Sequence, residues 1–192
     1  GSAFESLGSV EKGWPSKTFK RFVASLDAYR ERVENRYAGA VYPEGTALAG
    51  QPYDPANGGV NRYASEVMIP AFLNAYTSGG GGLDIFPAIS KMLPNWTLSY
   101  SGLGRLRRMR RIFRAFNINH AYRSVYSVGS YSSFTSYREL MNGVGFINDV
   151  TTGNPVPSCP FDISTVSINE SFSPLIGVDM TFNNNLTAKV EL

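Results

Sequence analysis

With 192 residues, a formal net charge of +3 and a single cysteine, the chain has room for one domain of ordinary size or a piece of something larger. The lone Cys159 excludes an internal disulfide and a cysteine zinc site. Only 17% of residues are charged while Tyr, Phe, Gly, Ser and Asn abound, a balance that suits a β-rich surface protein better than a cytosolic enzyme. No signal peptide or continuous apolar run of transmembrane-helix length is visible, which excludes a helical membrane protein and leaves β-barrels open, since their strands do not show in hydropathy.

From Ser16 to Tyr37 the apolar residues Phe19, Phe22, Val23, Leu26, Tyr29 and Val33 recur at spacings of three and four, with Ser16 placed as an N-cap. The spacing predicts an amphipathic helix packed on a neighbouring surface, with a basic outer face at Lys17, Lys20, Arg21 and Arg32; nucleic-acid binding is the alternative use of that face. Residues 39 to 64 carry Gly, Pro, Asn and Tyr without periodicity and read as loop. SEVMIPAFLNAY, Ser65 to Tyr76, resumes a helical pattern in which Pro70 must start a second part of the helix or kink it, and Gly79 to Gly82 end it with a flexible tether.

Strands follow. Asn95 to Gly102 places Trp96, Leu98 and Tyr100 on one face. Phe116 to Ser130 places Phe116, Ile118, Tyr122, Tyr126 and Val128 on one face, with Asn117, Asn119 and Arg123 opposite. Between them Arg105, Arg107, Arg108, Arg110, Arg111 and Arg114 interleave with Leu103, Leu106, Met109, Ile112 and Phe113. This predicts a basic amphipathic turn of helix that can sit at a membrane interface with its arginines toward anionic head groups; a solvated connection is the plain alternative and RNA binding a third. Residues 138 to 162 read as a long, irregular surface loop.

The end of the chain, Ser164 to Leu192, alternates strictly. Val166, Ile168, Phe172, Ile176, Val178, Met180 and Phe182 share one parity, and Ser167, Asn169, Ser171, Ser173, Asp179 and Thr181 the other, which predicts one long strand from 164 to 182 with an apolar face. A three-residue loop at Asn183 to Asn185 then sets Phe182 against Leu186, Met180 against Ala188, Val178 against Val190, Ile176 against Leu192, Asp179 against Lys189 and Thr181 against Thr187. A two-residue loop mismatches every pair. The run exceeds the roughly 9 to 11 residues that cross a membrane in a tilted barrel strand. A membrane hairpin and an ordinary soluble hairpin with its apolar face on a core both fit the alternation.

Catalytic chemistry finds little to stand on. His120, the only histidine, lies in an alternating strand far in sequence from Cys159, no acidic residues show metal-ligand spacing, and the Gly79 to Gly82 run lacks the lysine and Ser/Thr of a P-loop. Asn95, Asn169 and Asn185 begin N-x-S/T sequons, of which two fall inside expected strands. We expect no enzyme, no cofactor and no metal site.

Five segments, in order, resemble the SprA/Sov family, the giant outer-membrane translocon of the type IX secretion system of Bacteroidota. They are VMIPAFLNAY (67 to 76), LPNWTLSYSGL (93 to 103) with the basic connection to 114, NHAYRSVYSVGSYSS (119 to 133) and SFSPLIGVDMTFNNNLTAKVEL (171 to 192). Residues 1 to 60 and 138 to 162 do not share in the likeness. The resemblance implies a mainly β chain with a helical insertion, a fragment of a very large antiparallel transmembrane β-barrel. Residues 1–93 would be the helical and loop insertion, and residues 94–192 long barrel strands with the Arg-rich connection (103–114) and the long loop (138–162). It implies an outer-membrane channel, linked to gliding motility, that exports folded cargo bearing a C-terminal secretion signal. Its expected partners are that cargo, a PorV-like lipid-binding barrel protein, a periplasmic plug protein and membrane lipid, with no nucleic acid. On this reading Asp179, Thr181 and Lys189 face an aqueous lumen, and Ile176, Val178, Met180, Phe182 and Val190 face lipid. The Asn183–Asn185 loop and the arginine connection would be periplasmic and the 138–162 loop extracellular. Another outer-membrane barrel, such as a nutrient receptor, or a soluble surface-binding β domain remain the rival readings.

Overall fold

A computed structural model of the chain describes residues 17–77, 82–83, 95–140 and 143–192. The expected N-cap Ser16 and most of the Gly79 to Gly82 tether lie outside them. The architecture is mainly antiparallel β with two helices. The chain divides into two compact units, one made of Gly1–Met92 and Val128–Val166, the other of Leu93–Ser127 and Ser167–Leu192. That division differs from the boundary near residue 93 read from the sequence, because the second half of the chain supplies strands to both units.

In the first unit, helix α1 (Lys17–Asn35) buries Thr18, Leu26, Tyr29 and Val33, which with half-buried Phe22 make a stripe spaced by three and four that continues into Tyr37 beyond the helix end. Phe19 and Val23 were expected on the packed face and are exposed; the buried stripe is narrower than the apolar one, and Thr18 takes a place in it. Helix α2 (Ser65–Thr77) runs as a single element through Pro70. Val67, Ile69, Pro70, Ala71, Leu73 and Ala75 are buried nearly all round it, as befits a helix enclosed on several sides.

The segment between the helices has no periodicity, as expected, but it is far from loose. Tyr42 N donates to Gln51 O at 3.0 Å, Tyr53 N to Ala40 O at 2.9 Å, and the Glu34 carboxylate accepts from the Tyr53 hydroxyl and, at 2.8 Å, from Val60 N. Tyr37, Tyr42 and Tyr53 thereby converge on Phe146, with ring centroids 5.2–5.7 Å from it.

The expected surface loop at residues 138 to 162 therefore requires a correction: between Arg138 and Pro157 it supplies the three strands of a second sheet. Strands β3 (Arg138–Glu139), β4 (Gly145–Asn148) and β5 (Pro155–Pro157) pair antiparallel in that order, Val144 and Phe146 are buried, and the Tyr37 hydroxyl donates to Gly145 O at 2.9 Å. Each strand is shorter than the windows in which period-two alternation can be read, and prolines open and close β5, which is an edge strand and can do without those ladder donors.

Glu66 sits within this unit only 6% exposed, with Oε1 lacking a hydrogen-bond partner. Burial pushes its carboxyl up to about 7, against a smaller opposing pull from the Arg36 guanidinium. The unfolded carboxyl loses its proton near 4.5, so between that value and about 7 folding takes up a proton and stability falls as pH rises; the contribution is full below the lower value and gone above the higher. Urea unfolding of the tyrosine near-UV signal should show a midpoint that declines across that window, and Glu66→Gln should flatten the decline. Equal slopes in the two proteins would contradict the assignment.

Candidate functional site

The second unit is built on a five-stranded sheet. Its path runs β1 (Trp96–Tyr100), β2 (Phe113–Ser133), β7 (Gly177–Phe182), β8 (Thr187–Glu191), with β6 (Phe161–Phe172) also paired to β2. The sheet is open at β1 and β8 among the described residues. The terminal hairpin has the expected register: Val178 faces Val190, Asp179 faces Lys189, Met180 faces Ala188 and Thr181 faces Thr187. Phe182 N donates to Leu186 O at 2.8 Å, Leu192 N to Ile176 O at 3.0 Å, and Asn185 closes the three-residue loop at φ +67°, a left-handed conformation that Asn tolerates.

The expected single strand from 164 to 182 is interrupted. β6 ends at Phe172 and β7 begins at Gly177, yet both lie along β2: Ser173 N donates to Ala121 O at 3.1 Å, and Gly177 pairs with Asn119. Four residues on one side thus span two on the other, a bulge with two extra residues at Pro174–Ile176. Pro174 was the signal in the sequence, because proline within a strand marks a bulge or an edge. A second bulge adds one residue on β2 at Arg114, since Phe113 pairs with Phe182 and Ala115 with Thr181.

The pairings sort side chains into two faces. On one, Tyr100, Ile118, Val178 and Val190 make a continuous row across four strands, flanked by Phe116, Met180 and Ala188 on one side and by Leu98 and His120 on the other. Aromatic clusters close the face at each end. Phe113 lies 5.4 Å from Phe116 and 4.8 Å from Phe182, while Trp96 stacks on Tyr122 at 4.3 Å with Phe172 beside it. Of these residues only Tyr122 is buried, and Leu98, Tyr100 and Val190 are more than half exposed. An apolar face of this breadth, open among the described residues, is the kind of surface that meets another protein, a ligand or lipid.

The other face is polar. Ser99 Oγ donates to Asn119 Oδ1 at 2.9 Å, Asn119 Nδ2 to Asp179 Oδ2 at 2.6 Å, and Lys189 Nζ lies 2.7 Å from Glu191 Oε1. Asp179, Thr181 and Lys189 all belong here, and Val178, Met180, Phe182 and Val190 to the apolar face; Ile176 precedes β7 in the bulge and is exposed. Lys189 lies opposite Asp179 as the register requires, and its ion pair is with Glu191 on its own strand. The sequence put Asn119 on a polar face and Trp96, Phe116 and Tyr122 on apolar ones, but the link that Asn119 makes from β1 to β7 and the gathering of the two aromatic ends depend on pairing between strands distant in the chain.

Where one basic amphipathic turn of helix was expected, the arginine segment forms two short 3-10 turns, Gly102–Arg105 and Met109–Arg111, and Arg114 belongs to β2. Asn183 in the hairpin loop clamps it: Nδ2 donates to Arg110 O at 3.2 Å and Arg111 O at 2.9 Å, its N–H to Ile112 O at 3.1 Å, and Arg114 Nη1 reaches Asn185 Oδ1 at 3.1 Å. His120 and Cys159 are each engaged by a carbonyl, of Leu175 and Phe161 respectively, and burial pushes the Cys159 thiol up to about 11. Among the described residues no three His, Cys, Asp or Glu side chains gather to hold a metal ion, and no helix is long and apolar enough to cross a membrane. Comparison of the sequence with known protein families, and with curated proteins, finds no match.

Proposed function

We propose that the five-stranded sheet is part of the wall of an outer-membrane β-barrel, a protein-conducting channel of the kind the SprA/Sov resemblance implies. The observation that carries the membrane reading is the pair of unlike faces and the height of the apolar one. From the Phe113 row to the Tyr122 row β2 advances nine residues, roughly 30 Å of strand and, at a tilt of about 45°, roughly 22 Å of height, against an apolar band of about 25 Å in outer-membrane barrels. Aromatic residues at both margins fit the girdles of such barrels, and the ladder from Ser99 to Glu191 fits an aqueous lumen. Export of folded cargo with a C-terminal signal, collection by a PorV-like barrel partner and closure by a periplasmic plug rest on the resemblance of the quoted segments.

Single cysteines test the wall in membranes that carry the protein. Asp179→Cys, Thr181→Cys and Lys189→Cys should react with a charged thiol reagent, and Val178→Cys, Met180→Cys and Val190→Cys should not. The raised thiol of Cys159 keeps the background low. Equal labelling of both sets would end the wall reading.

A further inference from the structure

We infer that the arginine connection at the hairpin end of the sheet binds the phosphodiester head groups of anionic phospholipid. The inference rests on the wall reading for its location, but it draws on separate observations. Arg105, Arg107, Arg108, Arg110 and Arg111 are exposed, and among the described residues their guanidinium groups make no hydrogen bond or ion pair. No Asp or Glu occurs from residue 85 to residue 138. The unit holds eight Lys and Arg against three acidic residues, and all three are engaged: Asp179 by Asn119, Glu191 by Lys189 and Glu170 by the Tyr122 hydroxyl. Five like charges within seven residues repel one another and have no carboxylate of this unit to neutralise them.

These charges are not a loose tail. Arg110 N donates to Leu106 O at 3.0 Å, Ile112 N to Met109 O at 3.0 Å, and the Asn183 side chain grips the carbonyls of Arg110 and Arg111, so the guanidinium groups project from a fixed backbone. Planar, forked donors in that setting match phosphate oxygens bidentately. The source of the phosphate follows from the neighbours. Leu106 and Ile112 are 55% and 53% exposed beside the arginines, and the Phe113, Phe116 and Phe182 cluster marks the margin of the apolar band next to them. A phospholipid supplies acyl chain for those apolar side chains together with its phosphate, which free phosphate cannot. The nearest aromatic rings, Phe113, Phe116 and Phe182, are packed on one another on the apolar face, which favours acyl chain over a stacked base as their neighbour.

The test uses the chain with vesicles of phosphatidylcholine alone or with a minority of phosphatidylglycerol. The wild type should bind the anionic vesicles more tightly, and each Arg→Gln change among the five should lower that affinity about fivefold. The combined R105Q/R107Q/R108Q/R110Q/R111Q variant should bind both vesicles alike, while Arg123→Gln, at the Trp96 end of the band, should keep the preference. Equal binding of the two vesicles by the wild type, or a preference that survives in the combined variant, would overturn the inference. So would inorganic phosphate that abolishes the preference at an ionic strength where chloride does not, or an RNA oligonucleotide that displaces the vesicles. Resistance to carbonate extraction reads insertion separately. Preference without insertion keeps the arginine site and removes the wall, and insertion without preference does the reverse.

Discussion

Phe146→Ala is expected to lower the stability of the helical unit by about 3–5 kcal/mol, the range for deleting a buried aromatic ring. Phe146 is 1% exposed and is ringed by Tyr37, Tyr42 and Tyr53, two of which come from the segment between the helices. The Tyr37 hydroxyl is bonded to Gly145 O, next to the deleted ring, so the surroundings have little freedom to collapse into the space. The tyrosine near-UV signal should melt at much lower urea in the variant, and a loss below about 1 kcal/mol would mean that the ring is not the centre of this core.

Val178→Lys is expected to cost about 2–4 kcal/mol in lipid vesicles, the penalty for a cation near the bilayer midplane on the outside of a barrel. The Ile118–Val178 row lies midway between the Phe113 and Tyr122 ends, so the cost should be largest there and smaller at Met180, one row nearer the arginines. Thr181→Lys, on the polar face, should change stability by no more than about 0.5 kcal/mol. The contrast between these neighbours in urea titrations of folded, vesicle-bound protein is what matters. If Val178→Lys and Thr181→Lys were equally benign, the apolar face would not meet lipid.

The terminal hairpin was legible in the sequence because its pairs are local and numerous. Six cross-strand matches all agree on one loop length, and an error of one residue would break every one of them. The same logic separated the apolar from the polar residues of the candidate site. The bulge at Pro174–Ile176 was easy to read through for a related reason: two extra residues leave parity unchanged, so Phe172 and Val178 remain on one face, and only Pro174 and Leu175 break the alternation between them. Strands β3 to β5 were illegible because what holds them is far away in the chain. Besides its sheet neighbour Glu139, Gly145 is held by the hydroxyl of Tyr37, 108 residues earlier, and a two-residue strand has no pattern of its own. On α1, the exposure of Phe19 and Val23 is likewise set by what lies opposite the helix rather than by its own periodicity.

The two bulges differ in the way they count. The extra residue at Arg114 is odd, so it exchanges the faces for everything before it, and that is how Phe113 joins Phe116 and Phe182 although its parity is opposite to theirs. The pair of extra residues at Pro174–Ile176 is even and exchanges nothing. The sheet thus has something like a reading frame. Residues added or removed in twos along the β2 edge leave the water side and the apolar side where they are, whereas a single residue gained or lost turns the remainder of the strand inside out.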